Sequence, residues 1–306
     1  MKVLITGISG FSGQHLADFL QAEEVEVTGI DLTAGEYLQA DLTDKEAVAK
    51  AVNKNNPDYI FHLASPLIRS DQLIDEALTK NLQVDLFGTV NLLEAAANLP
   101  QKPKILITGT NAEYQESKGQ SINEDHPLRP QTSYGLSKMT QELVAKKLAE
   151  GYGLDLITTR TFHLVGPRQK PGFVVTDWCR QIALMEKGKA KPELIVGNLD
   201  IERDFTDVRD AITAYWMLME KGEAGQSYNV CSGKKHSLKT VFKELEKLAK
   251  VKFAVKSVTQ KLRDNDPDII VGNRDKLSKT TGWKPQIDLK TSLTDTLNYW
   301  RKEVSA

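Results

Sequence analysis

The chain has 306 residues, enough for one large domain or a domain with a smaller lobe, and its 40% hydrophobic and 26% charged content is that of a globular protein. A formal net charge of −1 argues against nucleic acid or an anionic membrane as the main partner, and no apolar run approaches the roughly 20 residues of a membrane span. Cys179 and Cys231 stand alone and fit no metal or redox spacing, so no metal is expected; with no signal-peptide pattern at the start, a reduced, cytoplasmic protein is the expectation.

Lys2–Thr6 is a short apolar run, as expected of a buried parallel strand. A glycine-rich turn follows, Gly7-Ile8-Ser9-Gly10-Phe11-Ser12-Gly13, and then an amphipathic helix from about Ser12 to Glu23. A glycine turn between a strand and a helix N-terminus is an anion cradle, because backbone N–H groups point at the phosphate and glycine lets the backbone come close. The spacing is GxxGxxG, a variant of the dinucleotide fingerprint, so Gly7, Gly10, Phe11, Ser12 and Gly13 are candidate cofactor-binding residues. Val25–Ile30 reads as a second strand ending at Asp31, 18 residues past Gly13, close to the spacing at which an acid meets the adenosine ribose hydroxyls.

Asp41-Leu42 is expected to close a third short strand and to flank the adenine; the alternative is that it caps a helix starting near Asp44. Asp58–Leu63 reads as a fourth strand leading into Ala64, with Leu63 and Ala64 facing the cofactor and His62 packed within the strand. Leu82–Leu99 carries a helical period around Phe87, Val90, Leu93 and Ala96. Lys104–Thr108 is a fifth strand, ending in Gly109-Thr110-Asn111-Ala112-Glu113-Tyr114. Ligands meet the C-terminal ends of strands in an open parallel sheet, which puts Thr110 where its hydroxyl can hold a substrate oxygen.

Tyr134 and Lys138 come next, four apart in a segment of helical period running to about Glu150. On a helix they share one face. A phenol ionises near pH 10 in isolation, and a fixed ammonium nearby lowers that by roughly 1–3 units. Such a tyrosine can exchange a proton with a carbonyl or carbinol oxygen. By itself the pair also fits an ordinary amphipathic helix. Asp155–Arg160 is a sixth strand. Beyond Thr161 the alternation becomes less regular, and Asp207–Lys221 and Leu238–Lys250 read as helices. Arg203 and Arg263 are candidates to grip a diphosphate, since guanidinium forks suit phosphate oxygens. The expected division is a dinucleotide-binding domain at 1–160 and, at 161–306, mostly a substrate lobe with segments returning to the sheet.

Together, Gly7–Gly13, Asp31, Thr110, Tyr134 and Lys138 resemble the extended short-chain dehydrogenases/reductases that act on nucleotide sugars. The resemblance covers nearly the whole chain, including Gly282-Trp283-Lys284-Pro285, and Gly197–Phe205 with the following TDVRD looks like the GDP-mannose branch of dehydratases and reductases. It implies a Rossmann-type doubly wound parallel sheet with a smaller C-terminal α/β lobe. It implies a nicotinamide dinucleotide as cofactor and Thr110, Tyr134 and Lys138 as catalytic residues; Asp31, which can take both ribose hydroxyls and would repel a 2′-phosphate, points to NAD(H), with NADP(H), often used by the family's reductases, as the alternative. Thr110, Asn111, His163, Arg203 and Arg263 would bind a nucleotide-sugar substrate, and pairing of the Leu82–Leu99 and Tyr134–Glu150 helices would give a homodimer.

Four positions depart from the family pattern. Asp85 stands where an Asn is usual, His163 replaces the Asn of RxxN, and Leu67 and Ile68 replace small hydroxyl residues. The dehydratases carry a Glu two residues before the tyrosine that matches Tyr114, to take the C5 proton. Here that position is Ala112, which cannot accept a proton, and Glu113 is expected to point elsewhere. The reading is therefore an NAD(P)H-dependent reductase of a 4-keto-6-deoxy nucleotide sugar, with GDP-4-keto-6-deoxy-mannose the first candidate. A nucleotide-sugar 4-epimerase is the alternative, ahead of a 4,6-dehydratase; an idle NAD-binding sensor would have lost the triad.

Overall fold

The computed structural model describes residues 1–33, 35–66, 76–257 and 267–305. The first half alternates strand and helix: β1 (Lys2–Thr6), α1 (Phe11–Ala22), β2 (Glu26–Asp31), β3 (Leu38–Gln39), α2 (Lys45–Asn55) and β4 (Tyr59–His62). Helix α3 (Glu76–Leu82) runs through a π turn, Gln83–Gly88, into α4 (Thr89–Ala97). Next come β5 (Lys104–Thr110), one 3₁₀ turn at Asn111–Glu113, α5 (Ser133–Tyr152) and β6 (Leu156–Thr161). In the second half lie β7 (His163–Val165), α6 (Val174–Glu186), β8 (Glu193–Val196), β9 (Glu202–Asp207), α7 (Val208–Lys221) and β10 (Ser227–Val230). The chain ends with β11 (Lys235–Ser237), α8 (Leu238–Leu248), β12 (Ala254–Ser257), β13 (Ile269–Ile270), α9 (Asp275–Thr281) and α10 (Leu289–Glu303).

Seven parallel strands form the main sheet in the order β10-β6-β5-β4-β1-β2-β3. This is the Rossmann-like, doubly wound sheet. The strand order reverses between β1 and β4, and that switch point is where such a sheet leaves a crevice at its C-terminal edge. Alternation along β1 splits its side chains between two layers. Val3 and Ile5 pack with Leu16 and Leu20 of α1 and with Val208, Ile212 and Tyr215 of α7. Leu4 faces the other way, onto Val48 and Val52 of α2, Leu92 and Leu93 of α4 and Ala145 of α5. A second core joins α6, α8 and α10 to β8 and β9. Strand β9 is flanked by β7, β11 and β13, and β8 pairs with β12. No described helix is long and apolar enough to cross a membrane.

Two elements differ from the sequence expectation. The third strand is Leu38–Gln39 and ends before Asp41, whose carboxylate turns onto the N–H and hydroxyl of Thr43, both at 2.8 Å. The cap of α2 is Asp44, accepting from the N–H groups of Glu46 and Ala47. The stretch expected as one helix around Phe87 contains the π turn, and its phase slips there. Leu93 and Ala96 are buried, but Phe87 is 58% exposed. A widened turn inserts one residue into the 3.6 repeat, so residues before and after it no longer share a face.

Candidate active site

At the switch point, Gly7 has φ +73°, and a Cβ there would lie 2.8 Å from the backbone of Ala64. A Cβ on Gly13 would lie 2.1 Å from the carbonyl of Gly7. Only glycine fits both places, so the turn hugs the end of β4, and Gly10 sits at the N-cap of α1 without a side-chain cap. Phe11, Ser12 and Gly13 are the first residues of α1, whose N–H groups are thus left for an anion. Asp31, at the end of β2, accepts from Ser9 N at 3.0 Å and from the N–H and hydroxyl of Thr33 at 3.2 and 2.9 Å. Burial pushes its carboxyl up, but the hydrogen bonds from Ser9 and Thr33 outweigh that and hold it below the usual value. Leu42 is buried under α4. Leu63 and Ala64 continue from β4 and hang from Thr6, through its carbonyl (3.2 Å) and hydroxyl (3.3 Å).

Helix α5 is capped by Thr132, which accepts from Gly135 N at 3.1 Å. A Cβ on Gly135 would stand 2.2 Å from the carbonyl of Ala112. Glycine beside Tyr134 thus lets the start of α5 press against the turn that follows Thr110. Tyr134 is half-buried and Lys138 is 2% exposed. Thr110 is nearly buried; its Oγ1 accepts from Ala112 N at 3.3 Å, which leaves the hydroxyl proton for a ligand. Asn111 opens the 3₁₀ turn. Thr110 is paired in register with Thr161, two residues before His163. His163 lies opposite Phe205 on β9, ring centroids 6.1 Å apart. Arg203, two residues earlier on β9, is 5% exposed and donates from Nη1 to the carbonyls of Glu202 and Pro267 at 2.8 Å. Arg263, Leu67 and Ile68 lie outside the described residues.

Glu113 turns inward, away from the position that Ala112 occupies. It is fully buried, accepting from Thr110 N at 2.7 Å, with Arg160 at 3.8 Å. Burial and the charge of Glu142 push it up to about 8, against the pull of Thr110 N, Arg160 and Lys138. Arg160 holds Glu142 by two bonds, 2.6 and 3.0 Å. Burial opposes ionisation of Glu142, but Arg160 and then Lys146 bring it down to about 2. Arg160 also donates to Tyr114 Oη, which itself donates to Asn229 Oδ1 on β10.

A second buried network escaped the sequence reading. Thr89 Oγ1 donates to the carbonyl of Asp85, so toward His62 Nε2, 2.9 Å away, it must accept. His62 is therefore the Nε2–H tautomer, and its Nδ1 accepts from Thr6 Oγ1 at 2.6 Å. Burial and the nearby Lys138 push this imidazole down to about 3, so it stays neutral. The chain runs unbroken from Ala64 N to the backbone of Asp85, whose side chain faces Lys138 at 3.9 Å. A histidine inside an apolar strand was the available signal; its partners, 27 and 56 residues away, were not.

The glycine turn after β1, the acid at the end of β2 and the turn after β5, with the start of α5 packed on it, all follow the C-terminal ends of strands of the one parallel sheet. The sequence model of the GDP-mannose 4,6 dehydratase family matches residues 4–296. The chain belongs to that family. It is an enzyme of the extended short-chain dehydrogenase/reductase type. It is 31% identical to GDP-6-deoxy-D-mannose reductase of Pseudomonas aeruginosa, over 99% of this chain and 98% of the relative. Identity to GDP-6-deoxy-D-talose 4-dehydrogenase of Aggregatibacter actinomycetemcomitans is 29%, over 92% of each. The fold is similar to that of RMD from Pseudomonas aeruginosa complexed with NADPH, with TM-score 0.88, 30% identity, and 99% and 98% of the two chains covered. It is also similar to Thermus thermophilus UDP-glucose 4-epimerase in complex with NAD, with TM-score 0.86, 28% identity, and 98% and 99% covered.

Proposed function

We propose that this enzyme reduces the C4 carbonyl of a 4-keto-6-deoxy sugar carried on a nucleoside diphosphate, with GDP-4-keto-6-deoxy-mannose as substrate and NAD(P)H as reductant. The observation that carries the choice is Ala112 together with Glu113. Dehydration needs a base reaching the C5 proton. Ala112 has none, and the neighbouring carboxyl is buried against Thr110 N and Arg160. The 31% identity to a GDP-6-deoxy-D-mannose reductase supports the same choice.

The glycine cradle suits a dinucleotide because Gly7 and Gly13 let the turn close against Ala64 and its own backbone, and the uncapped start of α1 leaves N–H groups for a pyrophosphate. Gly7, Gly10, Phe11, Ser12 and Gly13 would hold the pyrophosphate, Asp31 the adenosine ribose, and Lys138 the nicotinamide ribose. When bound, the cofactor supplies the hydride. Tyr134 gives its phenolic proton to the sugar O4, so hydride on carbon and proton on oxygen complete the alcohol. Lys138, one turn on, keeps a positive charge beside the phenol, and the Thr110 hydroxyl donates to the same oxygen. Asn111, His163 and Arg203 are the candidates for contacts to the sugar nucleotide. The ionised Asp31 repels a 2′-phosphate, which favours NADH by about 5–150-fold; equal efficiency with NADPH would show that Asp31 does not meet the ribose.

The test is to add the keto sugar with NADH or NADPH and follow cofactor oxidation, and separately to incubate GDP-mannose with NAD(P) and look for loss of water. Oxidation in the first and none in the second is expected. Robust dehydration of GDP-mannose overturns the reading. A protein that purifies with tightly held dinucleotide, and turns over a nucleotide sugar without added cofactor, is a 4-epimerase instead.

A further inference from the structure

We infer that Asp85 is a positioning residue for the reaction: it is the counter-ion of Lys138, fixing the ammonium in its buried place and offsetting part of its charge at Tyr134. The inference rests on the proposed reductase reading only for its kinetic consequence. Asp85 has no exposed surface. Its Oδ2 accepts from Ser137 Oγ at 2.8 Å, and its Oδ1 lies 3.9 Å from Lys138 Nζ. Among the described residues Oδ1 accepts no hydrogen bond. A buried carboxylate oxygen without a donor is costly unless a charge faces it. The π turn that carries Asp85 packs against α5, and the carbonyl of Asp85 is anchored by Thr89, itself held by Gln141 of α5 at 2.7 Å. π turns recur at functional sites because the widened turn re-aims one side chain.

The surrounding charges leave this role to Asp85. Glu113, from the 3₁₀ turn, also faces Lys138, but burial keeps it protonated at neutral pH. His62, from β4, is neutral. On the other elements against α5 the charged groups have partners of their own. Arg160 of β6 pairs with Glu142, Lys104 of β5 with Asp155, Glu76 with Lys80 on α3, and Glu94 of α4 with Lys45. An amide here, as the family resemblance expects, would leave Lys138 unopposed.

The experiment has two arms. The first is a thermal cycle on the cofactor-free protein with Lys138→Met, Asp85→Asn and the double variant. Removing the lysine strands a buried carboxylate, so Tm should fall by about 6 °C or more, and adding Asp85→Asn should recover at least half of that. Additive losses overturn the inference. The second arm is the pH profile of kcat/KM for reduction. With Asp85→Asn the uncompensated ammonium favours the phenolate, so the alkaline limb should move about one pH unit toward acid, with KM for the dinucleotide changed less than about 3-fold. Ser137→Ala keeps the carboxylate charge and should leave the limb in place. A limb unmoved by Asp85→Asn, or moved equally by Ser137→Ala, overturns the inference. The thermal arm needs no substrate, so inactivity toward the keto sugar would sink the functional reading and leave this one to be decided by Tm alone.

Discussion

A phenol donates a proton in catalysis only if its oxygen is held at the reacting atom and a charge beside it makes the anion tolerable. In the proposed reaction Lys138, 2% exposed and four residues after Tyr134 on α5, would provide that charge from a site shielded from water. Tyr134→Phe keeps the ring and removes the proton, so turnover should fall by roughly 10²–10⁴, the usual worth of a general acid, with dinucleotide affinity little changed. A Phe variant keeping more than half of wild-type turnover would rule the role out. Glu113 makes a second residue-scale prediction. Its folded value, about 8, lies above the ordinary 4.5, so between those values the folded state holds a proton that the unfolded chain has lost. The contribution of Glu113 to stability must therefore decline as pH rises from about 4.5 to 8. Glu113→Gln keeps the acceptor for Thr110 N and abolishes the titration. The Tm of the variant relative to wild type should climb steadily from pH 5 to 8, and a difference independent of pH would contradict the assignment. Glu142 does not interfere, since its stabilisation is lost only as pH falls from 4.5 toward 2. His62, which resists protonation down to about 3, destabilises both proteins equally on the acid side and cancels in the difference.

Helix α5 carries the proposed catalytic pair, and Gly135 sets its place. A methyl there, 2.2 Å from the carbonyl of Ala112, forces the helix or the 3₁₀ turn to retreat. Overpacking of this kind costs about 1–3 kcal/mol, and a 1 Å misplacement can cost on the order of 100-fold in rate. Gly135→Ala should therefore lower kcat at least about 10-fold while the protein remains folded by circular dichroism; wild-type kcat in this variant would show that α5 does not need the contact. The same element illustrates what the sequence carries and what it hides. β1, the glycine turn and α5 were readable because their signals are contiguous: an apolar run, glycine spacing and an i, i+4 pair. The π turn was not, since a single inserted residue leaves the local hydrophobic pattern looking helical while Phe87 swings outward. Asp41 reads as a strand end or a helix cap because nothing local announces that Thr43 takes its carboxylate. The carbonyl of Pro267 that receives Arg203 comes from 64 residues further along the chain, beyond the reach of any window. Ala112 is readable for the opposite reason: against the family motif it is an absence at one position, and Glu113 beside it points away from that position, as its offset implies, while its inward burial is visible only in the structure.

For the whole molecule, the prediction concerns self-association. Phe87 of the π turn and Leu143 of α5 are 58% and 53% exposed, and their elements pack against each other. Two large apolar side chains exposed on adjoining helical segments make a candidate patch that water does not favour. A two-fold axis would set the patch against its own copy, the commonest arrangement in soluble oligomers, with the α4 and α5 helices of each protomer in contact. A stable interface of this kind buries about 800 Å² on each partner, more than the two side chains supply, so the flanking surface of both helices must take part. That requirement makes the prediction sharp. Light scattering at micromolar concentration should give twice the chain mass of 34.1 kDa. Leu143→Glu puts a charge at the centre of the contact and should shift the mass toward one chain. Val255→Glu, changing a comparably exposed apolar residue on β12 in the other half of the fold, should leave it unchanged. Because α5 also carries Tyr134 and Lys138, the monomeric variant should lose turnover in proportion to its dissociation, and raising the protein concentration should restore both together. A wild-type chain that scatters as a monomer would refute the arrangement, and a dimer indifferent to Leu143→Glu would move the interface elsewhere on the surface.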